Sequence, residues 1–301
     1  MSRRFSGIDL VLVAMVLIWG INYPAIKIAL RDFYPMSFNL PRFILASLFI
    51  LFLLKVTEKS VPLRRRDWLP ILGLAVLGHT LYQLLFIYGI YHTSVSNASV
   101  IMAVTPIFVA LLSSFSRSER VRLWTWVGIF LSFFGIYLIV KANSGGWKLG
   151  GLSFKGDFLI MGCAVCWSLY TVIAKPLLKR YSPLRLTAVS MALGTLFLIP
   201  FSFRELWQQD WHKIAPISWL ALVYSFSLAI AIGYTIWYIG VARLGATRTS
   251  VYSNLVPVAA IFFAWIFLAE RLTLEQLLGA AMVLVGVYLT RIRDRELPSL
   301  R

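Results

Sequence analysis

Trp19, Asn22, Tyr23 and Ile26 stand at i, i+3, i+4 and i+7, one face of a helix, with Pro24 removing a backbone donor beside them. Trp167, Tyr170 and Thr171 repeat that face later in the chain. His79, Tyr82, Gln83 and Phe86 share another, and Tyr224, Ser227, Ala231, Tyr234 and Tyr238 form a comparable stripe that also carries Trp237. Aromatic walls with an occasional amide stack on a ring-bearing, amphipathic solute and fix it by a hydrogen bond, so the chemistry they offer is recognition. Catalysis finds fewer candidates. His79, His92 and His212 are scattered, Cys163 and Cys166 sit in an apolar run without water for a thiolate, and all twelve acidic residues lie at or beyond the ends of apolar runs. Neither a metal centre nor a cofactor is expected, nor a midplane carboxylate relay.

Each of these residues carries two readings. Trp19 and Trp167 either line a cavity or wedge two parts of the molecule together near an interface belt. His79, the one histidine inside an apolar run, either responds to protons near its reference pKa of about 6.5 or is a hydrogen-bonded structural residue. Pro106 and Pro257 each break a backbone hydrogen bond inside an apolar run, as a hinge or as a static kink. Ser253 and Asn254, beside Pro257, turn that run toward a cavity. Lys27 and Lys175 attract a substrate carboxylate or snorkel to an interface. Arg42 lies deeper in an apolar stretch, where it binds something charged or bonds neighbouring carbonyls.

The elements that position these residues follow from composition. Of 301 residues 59% are hydrophobic and 14% charged, and the mean hydropathy is +0.80, so most of the chain must face lipid. A net charge of +17 would suit nucleic acid in a soluble protein, but here the basic residues lie between apolar runs, and no nucleic-acid partner is implied. At about 20 residues per crossing the runs read as ten transmembrane helices, with cores near 9 to 29, 35 to 54, 68 to 91, 94 to 115, 121 to 140, 156 to 174, 184 to 203, 216 to 240, 246 to 268 and 274 to 291. With both termini cytoplasmic, twenty Lys and Arg fall inside and eight outside, Arg42 lying within a span. A multi-pass protein of a cell inner (plasma) membrane is expected.

The chain also repeats itself. A shift of 148 pairs Asp9 with Asp157, Trp19 with Trp167, Lys27 with Lys175 and Pro35 with Pro183. A shift of 151 pairs Trp68 with Trp219, Gly89 with Gly240, Pro106 with Pro257, Glu119-Arg120 with Glu270-Arg271, Gly128 with Gly279 and Gly135 with Gly286. Five helices per half is an odd number, so the second half starts from the opposite side of the membrane. The expected fold is all-α and integral to the membrane, ten helices in two inverted five-helix repeats. Residues 1–142 form the first, 143–155 an external linker, 156–293 the second and 294–301 a cytoplasmic tail. Such repeats build alternating-access transporters with a midplane site between the halves. The run from Leu10 to Ile26 has an internal counterpart and no small-residue cleavage site after it, so it reads as a span of the mature chain.

The W-G-I-N-Y-P-A-I-K stretch at Trp19 to Lys27, its counterpart W-S-L-Y-T-V-I-A-K at Trp167 to Lys175, Pro41-Arg42-Phe43, and the two prolines Pro106 and Pro257, each followed by a G-x6-G span, resemble the EamA-type transporters of the drug/metabolite transporter superfamily. The likeness covers nearly the whole chain. It implies a ten-helix exporter whose central cavity is lined by helices 1, 3, 4, 6, 8 and 9, with helices 5 and 10 peripheral; a monomer without enzymatic activity is expected. YddG-like members export aromatic and other amino acids, which implies a small-molecule substrate of that kind. An exchanger of phosphorylated or nucleotide-linked sugars is the alternative within transport, and a membrane-embedded enzyme or a receptor the alternatives outside it.

Overall fold

A computed structural model describes residues 7–59, 62–93, 98, 101–116, 121, 123–144, 152–259, 263 and 274–292. The Arg3-Arg4 terminus, the turn at 94–97, Glu119-Arg120, Glu270-Arg271, most of the linker (145–151) and the tail at 294–301 lie outside the described residues. The described residues are helical with no strand among them.

Among the described residues, six helices are long and apolar enough to cross a membrane. They are α1 (Gly7–Ala29), α2 (Pro35–Thr57), α3 (Arg65–His92), α6, whose apolar span is Phe154–Leu177, α7 (Pro183–Gln208) and α8 (Pro216–Leu244). Between and after them lie α4 (Thr105–Phe115), α5 (Leu123–Ser144), α9 (Ala246–Tyr252) and α10 (Leu274–Ile292), which are shorter or carry shorter apolar stretches. The ten expected spans are thus matched at full length by six helices. Within the described residues, α4 and α9 also carry backbone breaks. Turns at 103–104 and 253–254 interrupt the helices just before Pro106 and Pro257, which cannot donate to the ladder. Helix resumes after each turn, at Thr105 and at 255–259.

Local sequence explains the other boundaries. Pro35, Pro183 and Pro216 open helices where a missing N–H costs nothing, and the Ser182 hydroxyl caps α7 by accepting from the Arg185 N–H at 3.1 Å. The turn between α8 and α9 needs φ = 89° at residue 245, and glycine occupies it. Two stretches leave the α-helical register for a π register: Ala75–Leu81 in α3 and Ser225–Ile232 in α8. These are equivalent positions of the 151-residue repeat.

Residues that the repeat equates in sequence also meet in space. The Ser47 and Thr195 hydroxyls are 2.9 Å apart, Gln83 donates to Tyr234 at 2.6 Å, Trp19 and Trp167 pack edge to face at 5.7 Å, and Ser132 donates to the Val283 carbonyl at 3.4 Å. Reciprocal pairs complete the pattern. On the paired helices α5 and α10, a Cβ at Gly128 would lie 2.5 Å from the Gly286 carbonyl and one at Gly135 2.5 Å from the Gly279 carbonyl. Only glycine allows that approach.

The two ends of the bundle are fastened by side-chain hydrogen bonds, and the Asp67–Arg180 pair at one end is the repeat equivalent of the Ser218–Asp32 pair at the other. At one, Asp67 at the start of α3 accepts from Arg180 and, at 2.8 Å, from the Tyr181 hydroxyl, while Glu58 accepts from Ser182 at 2.7 Å. At the other, Asp32 accepts from the Ser218 hydroxyl at 2.6 Å and the Ala215 N–H at 3.1 Å, and Glu205 accepts from Tyr88 and from the Met36 N–H, both at 2.6 Å. The loops after α2 and α6 therefore share one end, and those after α1 and α7 the other.

Candidate functional site

The site is a cavity at the middle of the bundle, with about 700 Å³ of space among its walls, open solvent at its mouth included. Trp19, Asn22 and Tyr23 reach it from α1, Tyr82, Gln83 and Phe86 from α3, Trp167 from α6, and Tyr234 from α8. Thr105 begins α4, Met102 precedes it, and Ser253, Val256 and Pro257 come from the matching break after α9. Both helix interruptions therefore open onto the cavity, where backbone groups freed from a ladder have a place to be satisfied. Helices α1, α3, α4, α6 and α8 and the α9 region contribute, and so does α2, through Arg42, which the resemblance did not place at the cavity; α5 and α10 pack on each other away from it.

The aromatic walls hold one another. Trp167 lies 5.0 Å from Tyr234 and 5.1 Å from Tyr82, Tyr82 stacks on Phe86 at 5.4 Å with 14° between planes, and Tyr23 meets Phe86 edge on at 5.7 Å. Such offset and edge contacts contribute roughly 0.5–1.5 kcal/mol each beyond area burial, which keeps the rings in place. Trp19 is fixed further: its Nε1 donates to the Ala229 carbonyl at 2.9 Å within the π segment of α8. A Cβ at Gly233 would sit 2.5 Å from that nitrogen, so the close approach of α1 to α8 depends on glycine there.

Arg42, which helical periodicity alone does not assign to a face, is the one cation of the cavity wall among the described residues. It is 1% exposed. Its Nε donates to Asn39 Oδ1 at 2.9 Å, Nη1 to Ser225 Oγ at 3.0 Å and Nη2 to Gln83 Oε1 at 2.9 Å, while its guanidinium carbon lies 5.1 Å and 5.7 Å from the Phe38 and Phe43 ring centres. Every hydrogen-bond partner is neutral. Among the described residues no carboxylate is paired with it.

Several expected site residues stand one layer back. His79 is fully buried, its Nε2 3.1 Å from Ser190 Oγ and 3.3 Å from the Tyr170 hydroxyl, and its ring centre 5.4 Å from that of Tyr234. It backs the cavity wall without lining it. Tyr170 stacks on Tyr238 at 4.9 Å, and Trp237 donates to Thr171 Oγ1 at 3.1 Å while packing on Trp19 and Trp167 at 5.5 and 5.2 Å. Asn254 is buried at the helix break, with neither amide atom bonded to a described residue. Pro24 and Pro106 shape their helices without facing the cavity. Lys27 serves as a cap, its Nζ donating to the Ile90 and Thr93 carbonyls at 2.5 and 2.9 Å at the C-terminal end of α3. Lys175 lines a separate depression of about 1,020 Å³, open solvent included, together with Lys179, Arg243 and Arg248.

A family model described as the EamA-like transporter family matches residues 6–141 and 154–292. An uncharacterized transporter of Archaeoglobus fulgidus is 30% identical over 294 residues, covering 97% of this chain and 99% of that protein. A protein of Streptantibioticus cattleyicolor named a probable terminal-alkyne amino-acid exporter is 31% identical over 288 residues, covering 94% of this chain and 92% of its own. A solved crystal structure superposes with a TM-score of 0.78 over 96% of this chain and 97% of its own at 17% identity, a likeness of fold.

Proposed function

The chain belongs to the EamA-like transporter family, and from that premise we propose that it exports amino acids, aromatic ones included, across a cell inner membrane by alternating access between two inverted five-helix halves. The observation that carries this reading is the meeting of repeat-equivalent residues, Trp19 with Trp167 and Gln83 with Tyr234, at the wall of the central cavity. A site on the symmetry axis of two halves is reached from either side when the halves rock. Its aromatic walls suit a ring, and the name of the Streptantibioticus relative points to the same substrate class. A phosphorylated sugar would bring about two negative charges to a wall whose described residues offer one cation, and fits less well.

With both termini cytoplasmic, the end fastened by Asp67 and Arg180 faces the cytoplasm. Pro106 and Pro257 act as hinges beside the cavity. Two measurements test the proposal. With Cys163 and Cys166 replaced, a cysteine introduced as Gly146→Cys is labelled by an impermeant reagent in intact cells and one introduced as Arg65→Cys is not; the reverse pattern would overturn the direction of transport. In liposomes Trp167→Ala weakens phenylalanine and tryptophan uptake more than alanine or threonine uptake, whereas equal loss for all four would make Trp167 purely structural.

A further inference from the structure

Resting on the proposed amino-acid function, we infer that the cavity recognises its substrate through a carboxylate held by Arg42 and Tyr234, while the substrate's ammonium is met by neutral groups alone. The substrate class is then the monocarboxylates with an apolar or aromatic body. A carboxylate is required and an amine is dispensable.

The direction of the hydrogen bonds carries the inference. A guanidinium only donates, so the Gln83 group facing Arg42 Nη2 must be the carbonyl oxygen, Oε1, at 2.9 Å. The amide nitrogen then points the other way and donates to the Tyr234 oxygen at 2.6 Å. That oxygen is an acceptor in this bond, which leaves its own hydrogen to be donated elsewhere, and Tyr234 lines the cavity. Arg42 is in a similar position. Its bonds to Asn39, Ser225 and Gln83 use three of its five N–H groups, leaving one on each terminal nitrogen. Arg42, Gln83 and Tyr234 thus form a polarised chain that ends in donors, and each bond in such a chain strengthens the next. A buried positive charge with no carboxylate among its described neighbours is completed by an anion, and a carboxylate is the anion whose two oxygens fit a guanidinium edge and a hydroxyl together.

The acceptors that would receive an ammonium are of another kind. Asn22 and Thr105 line the cavity, and Asn22 Oδ1 and Thr105 Oγ1 are buried without a described partner. Both are neutral, and the ring faces of Trp19, Trp167 and Tyr82 around them offer cation–π attraction at most. No Asp or Glu lines the cavity among the described residues. Removing the carboxylate strips Arg42 of its counter-charge, while removing the amine leaves only neutral oxygens unfilled, so the two losses differ in size.

The test is a comparison of phenylalanine with three relatives that each lack or mask one group: 3-phenylpropionate lacks the amine, phenylalaninamide masks the carboxylate and phenethylamine lacks it. Each is added to purified protein in a thermal-shift measurement and used to compete with labelled phenylalanine in liposome counterflow. The expected result is that 3-phenylpropionate stabilises the fold and competes within about tenfold of phenylalanine, while the amide and the amine are weaker than phenylalanine by about tenfold or more. Arg42→Lys, which keeps the charge, retains the preference, and Arg42→Gln levels it. An amide or amine as effective as phenylalanine would overturn the inference and leave amino-acid transport standing. Transport of 3-phenylpropionate without transport of any amino acid would uphold the inference and overturn the amino-acid assignment.

Discussion

Replacing Tyr234 with phenylalanine removes one oxygen and leaves the ring, which makes it the cleanest probe of the donor chain. The ring's packing on Trp167 at 5.0 Å and on Trp19 at 6.3 Å, both steeply inclined, needs no hydroxyl. The lost oxygen accepts from Gln83 Nε2 at 2.6 Å in a site where Gln83 is 2% exposed, so one buried amide donor is orphaned. That costs about 1–3 kcal/mol of stability, read as a lower melting temperature of the purified variant. The substrate carboxylate also loses a donor. A hydrogen bond to a charged group contributes about 1.5–3 kcal/mol, which is roughly 10- to 150-fold in affinity. Phenylalanine should weaken by that factor in counterflow competition, and phenylalaninamide, which presents no charged oxygen there, by less. A variant that melts earlier but binds phenylalanine as tightly as wild type would refute the donor chain and leave Tyr234 a structural residue.

Three further perturbations address the frame around the site. Gly286→Val places a branched side chain where a Cβ already meets Ser132 Oγ at 2.2 Å and the Gly128 carbonyl at 2.5 Å, so α10 should part from α5 and the purified protein should lose its monodisperse elution peak; Gly73→Ala, with nothing within 4 Å, should keep it. Asp67→Arg or Arg180→Asp alone should lower the melting temperature, and the double exchange should recover most of the loss, if their ion pair fastens that end of the bundle. The Ser218 hydroxyl and the Ala215 N–H hold the Asp32 carboxyl below the usual carboxylate range. A pKa lower in the folded than in the unfolded chain stabilises fully above about pH 4 and fades as pH falls through the folded value, so Asp32→Asn should flatten the acid limb of the melting-temperature profile.

Much of this frame is legible in the letters of the chain because a repeat of chemically distinctive residues leaves a trace that apolar composition cannot blur. Trp19 with Trp167, Lys27 with Lys175 and Gly128 with Gly279 announce two related halves. Periodicity also groups residues by helix face, and Trp19, Asn22, Tyr23, Tyr82, Gln83, Trp167 and Tyr234 line the cavity. It cannot tell the first layer of an inward face from the second. His79, Tyr170, Trp237 and Asn254 share those faces or their neighbours, and only the tilt and spacing of the helices set them one layer back. The π segments at 75–81 and 225–232 carry no signal of their own, since neither stretch contains a proline and a shifted hydrogen-bond register needs none. Arg42 shows the limit most clearly. A lone cation in an apolar run is conspicuous, but its meaning depends on Gln83 and Ser225, 41 and 183 residues away in the chain. Lys27 likewise reads as a residue near a helix end until the C-terminus of α3 is brought to it.

Whether the cavity between the halves carries amino acids across the membrane is tested most directly by counterflow. Purified protein is placed in liposomes loaded with unlabelled phenylalanine, and labelled phenylalanine is added outside at equal pH and salt, with no nucleotide present. The expected result is a transient accumulation of label that decays as the internal pool exchanges, and its suppression by external 3-phenylpropionate but far less by phenylalaninamide. No accumulation of phenylalanine, tryptophan, alanine or threonine by folded wild-type protein would contradict amino-acid transport through this cavity.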